Sequence, residues 1–168
     1  MAFDYWNTYV IPGLKIFSNN SLFFLKVIVL NAEFLKLGVR AWLMQILVAG
    51  FNFFILMNLI YQPLWGELIA HQIGMITRII INFVFAYLLL MHADEYNTED
   101  LISVGVLWLV LTLIFEWGGS FVLGRPVEEI LIGWNIFAGY MWPYVLLSYL
   151  LAPIIVGKII PPNRVKAL

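Results

Sequence analysis

The sequence predicts an all-α integral membrane protein with four transmembrane helices, an N-terminal amphipathic interfacial helix and a short outer surface helix. Three observations lead to this class. Of 168 residues, 63% are hydrophobic and only 11% are charged, against about 25% charged in a typical soluble domain. Four separate stretches stay apolar for about 20 residues, the length a helix needs to cross a bilayer. Lysine and arginine gather toward the two ends of the chain, as topogenic charges do. A globular protein of this size could not hide so much apolar surface from water, so lipid must be the solvent for part of it.

The organisation expected is a tail and interfacial helix over residues 1–40, a four-helix transmembrane domain over 41–160 and a cytoplasmic tail over 161–168. The opening MAFDYWNTYVIPG carries an acid and no basic region, so it is not expected to be a cleavable signal peptide. Residues 15–40 are apolar but punctuated by Lys15, Lys26, Glu33, Lys36 and Arg40. At about 100° per residue these five share roughly a quarter of the helix circumference. That pattern suits a helix lying in the interface with its lysines at the headgroups. A fifth span over the same residues is the alternative.

The first span is expected over residues 41–60 and the second over 68–91. The acidic connection HADEYNTED (92–100) follows, in which Asn97 or Thr98 can cap the next helix and Glu99 and Asp100 suit its first turn. The third span covers 101–123. Segment 124–139 is too short and too polar to cross. Its GRPVEEI opening places Pro126 at a helix start and Glu128 and Glu129 in the first turn, where the helix dipole favours acids. The fourth span covers 141–160, with Pro153 inside it. Tyr61, Trp65, Trp117, Trp134, Tyr140 and Trp142 all fall at the outer level and read as an interfacial aromatic belt.

Lys15, Lys26, Lys36 and Arg40 precede the spans, Lys158, Arg164 and Lys166 follow them, and the connections between spans hold only Arg125. The expected location is the cell (inner) membrane, with both termini cytoplasmic. Formal net charge is −1, so nucleic acid is not an expected partner.

The candidate chemistry lies on the second span. Glu67, His71 and Arg78 are spaced by four and seven, which places them on one helical face with Gly74 and Asn82. Polar groups facing lipid are costly, so this stripe should face other helices or water. The third span returns antiparallel, and residues at equal depth should have numbers that sum to about 192. Glu116 then lies within half a turn of Arg78, and the two are expected to pair inside the membrane. The intramembrane cluster is therefore Glu67, His71, Arg78 and Glu116. The outer surface helix adds Arg125, Glu128, Glu129 and Asn135.

Little in the sequence points to catalysis. There is no cysteine, hence no disulfide, thiolate metal site or cysteine nucleophile. His71 and His92 fall at opposite ends of one helix and cannot share a metal within one chain. One histidine alone could still ligate a tetrapyrrole metal. Ser120 follows no nucleophile-elbow pattern. The glycines of GGSFVLG fit no phosphate loop and read as close-approach or helix-ending residues. No cofactor, metal site or enzymatic activity is expected.

GELIAHQ (66–72), the in-span arginine, FE (115–116) and VLGRPVEEIL followed by WNIFAGYMWPYVLLSYLLAP resemble a family of small four-span bacterial inner-membrane proteins of unknown function. Glu116, Arg125, Glu128 or Glu129, Asn135, Gly139 and Trp142 match its pattern. Gly133 stands where that pattern has an acid, and Tyr140 where it has an arginine. The resemblance covers about residues 41–157 and implies the four-span fold without adding chemistry.

The function expected is a non-catalytic accessory or structural subunit, embedded in lipid beside other membrane subunits or copies of itself. The alternative is a small transporter or a lipid- or ion-binding protein using the polar pocket of Glu67, His71, Arg78 and Glu116.

Overall fold

The computed structural model describes residues 32–160. The interfacial helix expected over 15–40 therefore lies mostly outside the described residues, as do the remaining N-terminal tail and residues 161–168. Every regular element among the described residues is helical. α1 (Ala32–Phe51) continues through a π-helical coil, Asn52–Tyr61, into the single turn α2 (Gln62–Trp65). α3 is Glu67–Met91, α4 is Thr98–Val122, α5 is Val127–Ile132, and α6 is Trp142–Ile159. The rod Ala32–Trp65, α3, α4 and α6 are each long and apolar enough to cross a membrane. The chain is a multi-pass helical membrane protein, as its composition predicts.

The boundary expected at residue 40 is absent. The helix runs unbroken from Ala32, because its buried stripe of Phe34, Gly38, Trp42, Gln45 and Ala49 crosses that position at steps of three and four. Such spacing keeps one face on the core. Glu33, Lys36 and Arg40 stay on the exposed side, where Lys36 Nζ meets Glu33 Oε1 at 2.8 Å. Two indole N–H groups fix the seam with α4. Trp42 Nε1 donates to Thr112 Oγ1 at 2.9 Å, and Trp108 Nε1 donates to the Gly38 carbonyl at 2.8 Å. Buried indoles need such partners, and the shared offset of the two pairs makes α1 and α4 parallel.

α1 and α6 each pack against both α3 and α4. The consecutive helices α3 and α4 thus sit at opposite corners of the bundle. α4 and α6 approach closely through glycine: a Cβ on Gly105 would stand 2.3 Å from the Leu150 carbonyl oxygen, and one on Gly157 would stand 2.4 Å from Leu101 Cδ1. The GGSFVLG glycines act otherwise. Gly118 and Gly119 face open space, and Gly124 ends its helix at φ +68°. α6 continues through Pro153, which is fully buried.

In the connection between α3 and α4, the cap expected at Asn97 or Thr98 falls on Asn97, and Asp100 makes it reciprocal. Asn97 Oδ1 accepts the Asp100 amide, and Asp100 Oδ2 accepts the Asn97 amide. Tyr96 donates its hydroxyl to the Ile160 carbonyl at the end of α6. Burial pushes this phenol above its ordinary pKa.

The outer surface helix expected within 124–139 is α5, Val127–Ile132. Pro126 caps α5 from outside, and Gly133 ends it after six residues. A separate 3₁₀ turn, Ile136–Ala138, follows under the cap of Asn135. No residue of α5 is buried.

Candidate functional site

At the α5 end of the bundle the helices leave a cavity of about 420 Å³, within the range typical of small-molecule sites. Its deepest charge is Arg78, one turn beyond Gly74 on the inner face of α3. The guanidinium reaches diagonally across the bundle, and Nη1 meets Glu116 Oε1 on α4 at 3.2 Å. The expected ion pair is present, and the two residue numbers sum to 194, close to the depth match anticipated. Nε and Nη2 donate to the Tyr149 hydroxyl at 3.4 and 3.3 Å. The Trp142 ring lies 4.9 Å from Cζ and covers the cation's face. A charge taken out of water needs this many partners, because attraction to one carboxylate alone does not offset desolvation. The Arg78 side chain is 7% exposed, whereas Glu116 is 35% exposed and opens to the cavity.

His71, about two turns nearer the surface, holds the entry to α6. Its Nε2 accepts the Met141 amide at 3.2 Å, and the Tyr140 ring meets the imidazole edge-on at 4.9 Å. Gln72 Nε2 adds a bond to the Gly139 carbonyl at 3.0 Å. Gly139 has φ +93°, a conformation glycine adopts without penalty. Glu67 begins α3 and stands exposed on the rim.

The remaining walls come from α5 and the π-helical coil. Arg125 Nε and Glu129 Oε2 face each other at 3.7 Å, and both line the cavity. Long π-helical coils are rare. Here the coil turns Asn52 and Met57 onto α3. Asn52 Nδ2 donates to the Gly74 carbonyl at 2.9 Å, and Met57 fills the notch above Gly74. Phe53, Met57 and Asn58 of the coil then form one side of the cavity.

Six of the eight residues singled out from sequence line this one space: Glu67, His71, Arg78, Glu116, Arg125 and Glu129. The sequence treated them as two groups. Glu128 is exposed outside the cavity, and Asn135 accepts the Ala138 amide to cap the 3₁₀ turn. Trp117, Trp134, Tyr140 and Trp142, which read as an interface belt, also line the cavity. Trp117 and Trp134 meet edge to face at 6.4 Å. Tyr149 escaped notice entirely. Its signal was a hydroxyl in the middle of an apolar span, which needs a partner when buried.

Below the cavity floor the bundle holds further polar groups. Asn82 Nδ2 donates to Ser148 Oγ at 2.7 Å, and Ser148 donates onward to the Val145 carbonyl. Gln45 is fully buried, and neither polar atom of its amide has a hydrogen-bond partner among the described residues. No group of three or more His, Asp or Glu side chains suited to a metal comes together among the described residues. No protein-family model, curated protein or solved structure matches the chain.

Proposed function

We propose that the chain is a non-catalytic membrane protein that binds an amphiphilic ligand in the cavity between α3, α4, α5 and the π-helical coil. One observation carries this reading. Six ionisable side chains and four tryptophan or tyrosine rings, drawn from separate segments, converge on a single space of ligand size. Structural ion pairs alone do not require a space around them, and the partly exposed Glu116 keeps its open side toward that space. In this reading the cell membrane is the location, both termini are cytoplasmic, and the cavity opens on the other side. The basic residues support it, since Lys36, Arg40 and Lys158 stand at the end of the bundle opposite Arg125. Kinship with the small four-span bacterial family belongs to the same proposal and rests on the motifs quoted above.

The test is native mass spectrometry of the intact protein released from lipid nanodiscs. A retained amphiphile at one copy per chain, lost when Trp134 and Glu116 are replaced together by Ala and Gln, is the expected result. A chain that emerges bare at every activation energy, and whose tryptophan emission ignores added amphiphile, would rule the reading out.

A structural subunit of a larger assembly is the second reading. The first rod is the least covered of the four spans. Leu43, Leu47, Phe51 and Phe54 form an exposed line along it at steps of three and four. Mass measurement after mild extraction tests this directly, and a free monomer without partners would oppose it.

A further inference from the structure

The cavity wall is charged unevenly. It presents three carboxylates, Glu67, Glu116 and Glu129, against two guanidiniums, Arg78 and Arg125. His71 adds no positive charge in this geometry, because the Nε2 that accepts the Met141 amide carries no proton. Both guanidiniums already face a carboxylate, Arg78 at 3.2 Å and Arg125 at 3.7 Å. Arg78 also donates from Nε and Nη2 to Tyr149, and its face is covered by Trp142. Arg78 thus offers little cationic surface to an anion, and Arg125, about half exposed, meets Glu129 through Nε alone.

The acceptors are less occupied. Glu67 has no ion pair among the described residues. Glu116 engages Arg78 through Oε1 alone. Beside Glu116, Trp117 and Trp134 line the cavity edge to face. Aromatic faces attract cations, and most strongly where water is partly excluded. Phe53, Met57, Ile130 and Ile132 supply the apolar part of the same lining.

We propose that the cavity selects the cationic head of an amphiphile, an amine or quaternary ammonium held by Glu116 and the Trp117–Trp134 pair, with Glu67 adding negative charge at the rim. Its apolar tail lies along Phe53, Met57, Ile130 and Ile132. This assignment rests on the ligand-binding reading above and adds the sign of the ligand's charge.

The test compares three probes with alkyl chains of equal length: an alkyltrimethylammonium, an alkyl sulfate and an alkyl glucoside. Each is titrated into the full chain in nanodiscs while tryptophan emission is followed. The ammonium should bind about tenfold tighter than the sulfate, the scale of a desolvated cation–π contact joined to an ion pair. Glu67→Gln, on the rim and outside the core, should weaken the ammonium several-fold, and Glu116→Gln should weaken it at least as much. Glu128→Gln, outside the cavity, should leave it unchanged. Equal or tighter binding of the sulfate or glucoside would overturn the charge assignment while leaving a ligand site in place. No response to any of the three would overturn both. Ammonium binding that ignores both Glu67→Gln and Glu116→Gln would also sink the proposal.

Discussion

Arg78 and Glu116 meet at 3.2 Å although their helices, α3 and α4, occupy opposite corners of the bundle. The pair therefore joins elements that scarcely touch elsewhere. Its length matters too, because an arginine and a glutamate together span a gap that shorter side chains would leave empty.

Breaking this pair from one side should be costly. Arg78→Ala or Glu116→Leu leaves a buried or half-buried charge without its partner, a loss of about 3–5 kcal/mol for a buried pair. Replacing both by leucine should restore much of the stability, since neither charge then remains. The charge-reversed double variant should recover less, because the new arginine at 116 would lack Tyr149 and Trp142. Thermal unfolding in detergent orders the four variants, and a double-leucine protein no more stable than the single variants would contradict this account.

The glycines divide into two kinds. Gly105→Ala forces a methyl against the Leu150 backbone, which cannot rotate away. Overpacking of this type costs about 1–3 kcal/mol. Gly118→Ala and Gly119→Ala meet nothing and should be neutral or stabilising by about 0.5–1 kcal/mol through helix propensity. Melting temperatures of the three variants, measured side by side, check the sign of each.

Gln45 offers a gain. Its amide is buried and finds no hydrogen-bond partner among the described residues, and an unsatisfied buried group costs about 1–3 kcal/mol. Gln45→Leu should raise the melting temperature, while Asn82→Leu, which loses the Ser148 bond, should lower it. A fall in both would show that the Gln45 amide is satisfied in the membrane.

Tyr96 ties the α3–α4 connection to the end of α6 by donating to the Ile160 carbonyl. A phenolate cannot donate, so this contact contributes stability only while the phenol is protonated. Its folded pKa is raised by burial above the unfolded value, which is about 10. The contribution is thus complete below about pH 10 and is lost as pH climbs through the folded value. Tyr96→Phe should destabilise by about 0.5–1.5 kcal/mol at neutral pH. The difference from the parent should vanish at strongly alkaline pH in unfolding curves.

Much of the site was legible because one helical period and one short connection suffice for it. The spacing of Glu67, His71 and Arg78 marks one face, and the short connection before α4 sets the depth of Glu116. The rest needed contacts between distant segments. Tyr149 is 71 residues from Arg78, and nothing in the local pattern of α6 says which way its hydroxyl points. Trp134 and Trp142 look alike in sequence to Trp65, yet Trp65 is exposed while Trp142 is buried under a guanidinium.

By itself the sequence determined the all-helical class, the four spans, a cap at Asn97 or Thr98 and the Arg78–Glu116 match. Each depends on composition, helical period or chain length, which are local quantities. The tertiary structure decided that α3 and α4 are diagonal, that the surface helix stops at Ile132, and that six ionisable residues share one cavity with four aromatic rings. It also decided that α1 continues through residue 40, because burial of Phe34 and Gly38 against the bundle outweighs the charges on the opposite face. Those outcomes depend on which side chains fill which gaps between helices, and lipid-soluble sequences leave that choice open: most of their residues are equally suited to face a neighbour or the bilayer.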